Sequence, residues 1–330
     1  MLSLLGGCAV QPAALEGGFP IEASPIPLDG DDPARDALGP LHYLGGLRLN
    51  ASDRRFGGLS ALRWRDGRLY AVNDFGMFLA LPIVEKGERL IGLPQALVVP
   101  LPDMDGRPFS AKADGDSESL DMVRDCSAQA PGCVLSITVG FERNHRIWRY
   151  VLENGRPVRP VEIGSEAMRH WLKSQPFNSG VEAMVMTGAD QLWLSEGLRT
   201  ADGRVRAWWH RRDAAGRTLQ DREITMAFPQ GFSPTDADRL DEGRFLILGR
   251  HFSVLDGVSA VLVMASLDPA SGAIMTRRLA TFRPPVNVDN MEGLAVRHQG
   301  GRTFVYLLSD DNFNPAQRTL LLKFELRGQQ

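Results

Sequence analysis

Ten positions carry side chains of the kind that bind metal ions, move protons or hold anions, and they occur as five pairs. The first members of the pairs are Ser60, Glu118, Glu182, Asp236 and Glu292, and the second members are Asp74, Glu142, Glu196, Arg250 and Asp310. Three of the pairs are separated by 14 positions. Eight of the ten side chains are carboxylates. If these groups converge, they raise one another's pKa values unless cations compensate.

Carboxylate oxygens in this number favour Ca²⁺ or Mg²⁺, which take oxygen ligands. We expect Ca²⁺ as the cofactor, with Glu182, Glu292 and Asp310 as its first ligands. Second-choice ligands, or a general base acting on a water whose acidity the cation raises, are Glu118, Glu142 and Glu196.

Cationic side chains stand beside these acids in the sequence. We expect Arg143 and Arg250 to steady negative charge on a substrate, and His145 to serve as an acid or base. The alternative is a structural ring in which each acid caps backbone N–H groups and pairs with an arginine. The arginines available for this are Arg143, Arg146, Arg250 and Arg318.

Other catalytic motifs are absent from the sequence. It has no Gly-x-Ser-x-Gly elbow, Walker loop, dinucleotide fingerprint or His-Glu-x-x-His zinc motif. Ser60 lies in Gly-Gly-Leu-Ser, which lacks the spacing of the elbow. A serine-esterase mechanism therefore has no support.

The pairs belong to an internal repeat that predicts the fold. Their first members are spaced by 58, 64, 54 and 56 residues. In each repeat a strand, a turn and a second strand are followed by further strand-like runs, such as Ala260 to Leu267. Four strands per repeat are typical of an all-β propeller. In that fold both members of every pair should face one tunnel mouth.

Closure of the propeller follows from two leftover segments. The last repeat ends after three strands, and Leu41 to Leu49 is a strand that precedes the first repeat. We expect this strand to pair with Thr319 to Leu326 and to complete five four-stranded blades, with six blades as the alternative count. Ser165 to Ser174 is interpreted as a helical insertion.

Composition excludes several classes of protein. Lys and Arg number 37 against 40 Asp and Glu, which gives a net charge of -3. A chain without excess positive charge is a poor nucleic-acid binder. No apolar run reaches the roughly 18 to 20 residues that span a bilayer. We therefore expect a monomer with a small anionic ester as its partner, no nucleic acid, and membrane contact only through a lipid anchor.

The amino terminus predicts that anchor. Leu5-Gly-Gly-Cys8 is similar to a bacterial lipobox, in which the cysteine is lipidated, although the signal before it is short and lacks a basic residue. An incidental cysteine in a cytosolic terminus is the alternative. Residues 1–40 are predicted to be a truncated lipoprotein-type signal and a tether, and residues 41–330 the propeller domain. The expected location is the periplasm or cell envelope.

The two other cysteines fit an oxidising compartment. Cys126 and Cys133 flank a Pro-Gly turn, and the short loop can bring them to bonding distance. We expect a disulfide between them. In a reducing cytosol the pair would stay as two thiols.

Several stretches resemble a known family, the phytase-like propeller domain of bacterial secreted proteins, named for an "esterase-like activity of phytase". The most specific are Asp289-Asn-Met-Glu-Gly-Leu294 and Ser309-Asp-Asp-Asn-Phe-Asn-Pro-Ala-Gln-Arg-Thr-Leu-Leu-Leu322. Shorter ones are Phe56-Gly-Gly-Leu-Ser60, Asp116-Ser-Glu-Ser-Leu120, Phe141-Glu-Arg-Asn-His-Arg-Ile-Trp-Arg-Tyr150, Gly180-Val-Glu-Ala183 and Gly231-Phe-Ser-Pro-Thr235. The resemblance implies a propeller in an extracytoplasmic setting.

The sequence is consistent with three functions. The resemblance and the acidic ring favour an extracytoplasmic hydrolase of phosphate or carboxylic esters with a Ca²⁺-binding tunnel mouth. A lactonase-like metal-dependent hydrolase would use a similar site. A non-catalytic propeller of the envelope would use the same mouth to bind a ligand or a protein.

Overall fold

The structure is a computed structural model, which describes residues 18–125, 134–187, 189–213, 217–255 and 257–328. Cys8, Cys126 and Cys133 lie outside these ranges, so the lipid anchor, the disulfide and the envelope location remain predictions. Within the described ranges no helix is long and apolar enough to cross a bilayer.

Four strands precede the first blade. They are β1 (Phe19–Pro20), β2 (Glu22–Ile26), β3 (Ala37–Leu38) and β4 (Leu41–Asn50). The first blade follows and consists of β5 (Leu59–Arg65), β6 (Arg68–Asn73), β7 (Met77–Leu81) and, after a small hairpin of β8 (Val84–Lys86) and β9 (Arg89–Gly92), β10 (Gln95–Pro100). Each blade is an antiparallel sheet whose first strand lies nearest the propeller axis.

Two short helices flank the second blade. Helix α1 (Lys112–Gly115) precedes it, and its strands are β11 (Ser117–Asp125), β12 (Val134–Phe141), β13 (Arg146–Glu153) and β14 (Arg156–Glu162). Helix α2 (Glu166–Lys173) follows, which confirms the predicted helical insertion. The Ser165 hydroxyl begins α2 by accepting a hydrogen bond from the backbone N–H of Met168.

The remaining blades repeat the pattern. The third comprises β15 (Val181–Thr187), β16 (Asp190–Arg199), β17 (Val205–Arg212) and β18 (Thr218–Met226). The fourth comprises β19 (Ser233–Arg239), β20 (Arg244–Ser253), β21 (Gly257–Leu267) and β22 (Ile274–Phe282). The fifth begins with β23 (Asn290–Gln299), β24 (Arg302–Asp310) and β25 (Thr319–Leu326).

Strand β4 completes the fifth blade and closes the propeller. It pairs antiparallel with β25, from Leu41 opposite Leu326 to Leu49 opposite Thr319. The prediction of an all-β propeller with five blades, closed by an N-terminal strand, is confirmed. Apolar side chains fill each interface between neighbouring blades, so the core consists of five clusters arranged around the axis.

The prediction of a tether through Pro40 is wrong for residues 18–40. Strand β1 pairs with β10 at the outer edge of the first blade, and β2 and β3 pair with β4 at the outer edge of the fifth. Leu28 is fully buried. These strands are too short to show hydrophobic periodicity in the sequence, yet they cover sheet edges that would otherwise be open.

An arginine seals the propeller axis. Arg63 of the first blade is buried, and its guanidinium lies 2.9 Å from the Asp236 carboxylate of the fourth blade. Its Nη atoms also donate to the carbonyl oxygens of Met184, Ala237 and Leu294 in the third, fourth and fifth blades. This contact separates a cavity at one end of the axis from a second cavity at the other end.

Candidate functional site

The cavity at the start of the inner strands, called here the acidic mouth, measures about 480 Å³. Seven carboxylates and three cations line it, and they are Asp74, Asp116, Glu118, Glu142, Glu182, Glu292, Asp310, Lys112, Arg143 and Arg250. The structure therefore brings most of the predicted pairs together. Ser60, Asn290 and Asn312 also line the wall.

A recurring backbone contact positions the pairs. The backbone N–H groups of Asp74, Glu142 and Glu196 donate to the carbonyls of Gly58, Asp116 and Gly180, each two residues before the first member of its pair. In three blades the first member lies where the register shifts between the inner strand and its neighbour. These bulged residues are Glu118, Glu182 and Glu292. A bulge re-aims a side chain, here into the mouth.

The prediction that Asp236 faces the mouth is wrong. In the fourth blade the register shift lies at Thr235, and Asp236 comes one residue deeper along the strand. There its carboxylate binds Arg63 and accepts hydrogen bonds from the backbone N–H groups of Leu62 and Leu294. The 14-residue spacing to Arg250 misassigned this position because Thr235, the structural equivalent of Glu182, lies 15 residues before Arg250.

One half of the mouth is a cluster of acids, called here the carboxylate triad and formed by Asp74, Asp116 and Glu118. One ligand atom from each lies within 4.8 Å of the others. Lys112 Nζ donates to Asp74 Oδ2 at 2.7 Å and lies 3.6 Å from Asp116 Oδ1. The Ser60 hydroxyl donates to Glu118 Oε2 at 2.9 Å. Lys112 therefore supplies a positive charge where a metal ion would fit.

Sequence reasoning missed two members of this half. Asp116 does not belong to any of the five pairs, although it lies two residues before Glu118 in the stretch Asp116-Ser-Glu-Ser-Leu120. Lys112 lies on α1, outside the repeat. Neither oxygen of the buried Asp116 carboxylate has a hydrogen-bond partner among the described residues. Arg143 Nε approaches Asp116 Oδ2 at 2.6 Å, but its N–H is not directed at the oxygen, so this contact is electrostatic.

In the other half of the mouth Arg250 compensates part of the negative charge. Its Nε lies 2.7 Å from Glu292 Oε1, and its Nη2 donates to Glu196 Oε1 at 3.1 Å. Glu182 is buried close to the same three groups. Glu182 and Glu292, two of the three residues predicted as first ligands of Ca²⁺, thus lie close to Arg250. Glu196 contacts that arginine from outside the cavity lining.

Burial and mutual repulsion shift the acids toward their neutral forms. Burial, together with nearby Asp116 and Glu196, raises the pKa of Glu142 to about 7. Burial also raises the pKa of Asp310 to about 7 and that of Glu292 to about 8, the latter in spite of Arg250. The pKa values of Glu118 and Glu182 rise well above the usual range for the same reason. Such a site gains from an added cation.

A family model described as "Phytase-like: Esterase-like activity of phytase" matches residues 54–313. The match covers most of the chain and contains all five pairs. The chain belongs to this phytase-like family.

Solved structures resemble this phytase-like chain only remotely. A thermostable family-43 glycoside hydrolase is 11% identical over 83% of this chain and 96% of its own, with a TM-score of 0.49. The PQQ-bound aldose sugar dehydrogenase from Streptomyces coelicolor is 11% identical, covering 85% and 97%, with a TM-score of 0.42. The Dos1 propeller is 8% identical, covering 87% and 75%, with a TM-score of 0.36. No curated protein sequence matches significantly.

His145 lies away from the wall of the phytase-like mouth. Its Nε2 is 2.9 Å from the carbonyl oxygen of Pro176, its Nδ1 is packed near Gly180, and burial lowers its pKa. It is not among the residues that line the cavity. The predicted acid–base role thus has no geometric support, whereas Glu142 and Arg143 line the mouth.

Four exposed apolar side chains lie on or next to segments that line the cavity. Phe252 lines the cavity and is 64% exposed, and Val254 and Leu255 at the tip of its hairpin are 94% and 96% exposed. Phe177 is also exposed and lies 5.9 Å from the guanidinium of Arg143, another residue of the cavity wall. We call these four residues the apolar rim. Charged groups at the bottom and apolar groups at the entrance suit an amphipathic ligand.

Proposed function

We propose that this phytase-like chain hydrolyses esters, carboxylic or phosphate, that carry an apolar group, and that Ca²⁺ or a similar cation assists at the carboxylate triad. The observation that carries the proposal is the convergence of Asp74, Asp116 and Glu118 on one point. Membership of a family named for esterase-like activity supports ester hydrolysis as the reaction.

The residues present fit a hard divalent cation. The triad offers carboxylate oxygens, Asp116 has no hydrogen bond among the described residues, and Asn290 and Asn312 add amide oxygens to the wall. Such an ion would polarise the ester and raise the acidity of water. We place it at the triad instead of at Glu182 and Glu292, because one ligand atom from each of the three acids of the triad lies within 4.8 Å of the others.

Roles for the chain's own groups follow from their positions. Glu142, with a pKa of about 7, suits a general base that takes a proton from the attacking water near neutral pH. Arg143 is held over the mouth with a φ of 58°, in the left-handed region, and would hold the negative charge that develops on the ester oxygen. The apolar rim would bind the acyl or aryl group.

Chromogenic esters test this function. We expect hydrolysis of p-nitrophenyl acetate, butanoate or phosphate in Ca²⁺ and loss of that activity in chelator. Asp116→Asn and Glu142→Gln should each lower kcat by about 100-fold or more. The matched control is Glu162→Gln, an exposed carboxylate on the outer strand β14, which should behave as the parent.

The same assay, extended to lactones, distinguishes the competing functions. Activity on lactones alone would favour the lactonase. Turnover of no substrate, with Ca²⁺ bound, would overturn the proposed hydrolysis and favour a binding propeller. Activity that is equal in Asp116→Asn and the parent would contradict the site.

A further inference from the structure

Arg146 is the first residue of β13 and is not among the described residues that line the acidic mouth. Its guanidinium carbon lies 4.1 Å from the ring centroid of Phe141, 4.5 Å from that of Trp148 and 5.4 Å from that of Phe109. The faces of aromatic rings attract a cation. These three rings, called here the aromatic cage, therefore fix the position of the guanidinium.

Phe109 links the aromatic cage to the segment that contains α1. Its ring centroid lies 5.5 Å from that of Phe141 and 5.8 Å from that of Trp148. It also packs on two glycines: a Cβ on Gly76 would lie 2.8 Å from Phe109, and one on Gly115 would lie 3.2 Å from it. Only glycine allows the backbone to approach so closely. Phe109 therefore anchors the start of this segment.

The second anchor of the segment is Arg146 itself. Its Nη1 donates to the carbonyl oxygen of Asn144 at 2.9 Å, and its Nη2 donates to the carbonyl oxygen of Asp114. Asp114 lies in the last turn of α1, where carbonyl groups have no partner within the helix and a cation is favourable. Arg146 thus joins the end of α1 to the loop before β13.

Lys112 lies between the two anchors, and its Nζ reaches the carboxylate triad from α1. Asp116 is held in a different way, because its carbonyl oxygen accepts a hydrogen bond from the backbone N–H of Glu142 at 2.8 Å. The contact between Arg146 and α1 therefore affects the position of Lys112 more than that of Asp116.

We propose that Arg146 is a positioning residue, which holds the Lys112 ammonium at the carboxylate triad and thereby lowers the affinity of the triad for a divalent cation. An arginine suits this role because its planar fork donates to two carbonyl oxygens while its faces contact aromatic rings. The effect on cation affinity rests on the proposed function. The effect on the position of Lys112 does not.

Acylation of lysine tests whether Arg146 holds Lys112. The chain has four lysines, and Lys173, exposed on α2, serves as the internal reference. Arg146→Met keeps an unbranched apolar side chain in the aromatic cage and removes both donors. Lys112 should then react with acetic anhydride at least about threefold faster relative to Lys173, because an ammonium released from carboxylates loses its proton more readily. Mass spectrometry of the variant and the parent in chelator measures both rates.

Arg297→Met is the matched control. The Arg297 guanidinium lies 4.3 Å from the ring centroid of Trp64 at the opposite end of the propeller and also donates to Glu85. Its loss should lower the melting temperature but leave the acylation ratio as in the parent. Arg146→Leu also removes both donors and is the second variant in case Arg146→Met does not fold. An unchanged ratio in a folded Arg146 variant would overturn the proposal.

Calorimetric titration with Ca²⁺ tests the effect on the cation site. We expect affinity to rise about threefold in Arg146→Met, less than in Lys112→Gln, since the variant loosens the competing ammonium but does not remove it. The double variant should bind as Lys112→Gln does, because the arginine acts through the lysine. A fall in affinity, or additive gains in the double variant, would overturn the proposal. A parent that binds no Ca²⁺ would contradict the proposed function, and the acylation rates would still decide whether Arg146 positions Lys112.

Discussion

Lys112 supplies a positive charge next to the carboxylate triad. Its ammonium group reaches the carboxylate triad from α1 and binds Asp74. The acids around it raise its pKa against the opposing effect of burial, so it stays charged. An internal cation of this kind holds the triad together and competes with a metal ion for the same oxygens.

Lys112→Gln should therefore have opposite effects in chelator and in Ca²⁺. In chelator the melting temperature should fall, because the triad loses its compensating charge. Affinity for Ca²⁺ should rise about tenfold, since removing a unit charge a few ångströms from the ion is worth at least about 1.4 kcal/mol. Calorimetry and thermal melting measure both. Lys173→Gln, an exposed lysine on α2, is the control, and a fall in Ca²⁺ affinity of Lys112→Gln would contradict this role.

The raised pKa values predict how stability depends on pH. Glu142 and Asp310 have pKa values of about 7 and Glu292 about 8 in the folded chain, against about 3.9 for a free aspartate and about 4.3 for a free glutamate. The folded state keeps these protons while the unfolded chain releases them. Their contribution is thus fully present below about pH 4 and is lost as the pH rises through 7 to 8.

In chelator the melting temperature should therefore fall between pH 5 and pH 8. Glu142→Gln should show a smaller fall, because it removes one of the titrating groups. Thermal melts at the two pH values, with and without Ca²⁺, measure the effect. A parent protein that is as stable at pH 8 as at pH 5 in chelator would show that these acids do not retain their protons.

Two loops of different blades contact each other beside the mouth. The Phe313 ring packs against Gly57 and Gly58, and the Asp311 carboxylate accepts a hydrogen bond from the Gly58 N–H. A Cβ on Gly58 would lie 2.4 Å from that ring, and its φ is +58°. This contact joins the loop after β24 to the start of the first blade.

Gly58→Ala should destabilise the fold more than Gly87→Ala. Both glycines have a φ near +60°, but a Cβ on Gly87 meets nothing within 4 Å. Gly87→Ala should cost about 1–2 kcal/mol for the left-handed backbone. Gly58→Ala should add about 1–3 kcal/mol for overpacking against Phe313. Denaturant unfolding of both variants measures this, and equal losses would show that the ring moves aside freely.

Elements that repeat were predictable from the sequence, whereas residues outside the repeat were not. Hairpins of similar length at regular spacing predicted five blades, because each strand pair recurs with its own turn. The bulge at Thr235 was missed because a turn longer by one residue moves the register. Lys112 was missed because α1 belongs to an insertion between blades. The sequence did not show that the mouth has two halves, one with Asp116 in the carboxylate triad and the other around Arg250, because this depends on how the blades are arranged in space.

Closure of the propeller joins the first part of the chain to the last. The family match begins at residue 54, yet β4 supplies the fourth strand of the fifth blade. Leu47 and Leu49 of β4 are buried in the cluster between the fifth and first blades. Residues before the family match are thus part of the fold.

A chain that begins at residue 54 should therefore fail to fold. It loses β1 to β4, exposes the edge of β25 and removes apolar contacts at a blade interface. A chain that begins at residue 18 keeps all four strands and should fold and melt cooperatively. Near-ultraviolet circular dichroism and size-exclusion chromatography compare them. A compact, cooperatively melting chain from residue 54 would contradict closure by β4.

The proposed hydrolysis requires that the carboxylate triad binds a divalent cation. Calorimetric titration of chelator-stripped protein with Ca²⁺ tests it most directly, using the parent, Asp116→Asn and the control Glu162→Gln. We predict one site in the parent and in Glu162→Gln, with affinity reduced at least about tenfold in Asp116→Asn, because the ion loses a charged ligand. No binding by the parent, or equal binding by Asp116→Asn, would contradict the claim.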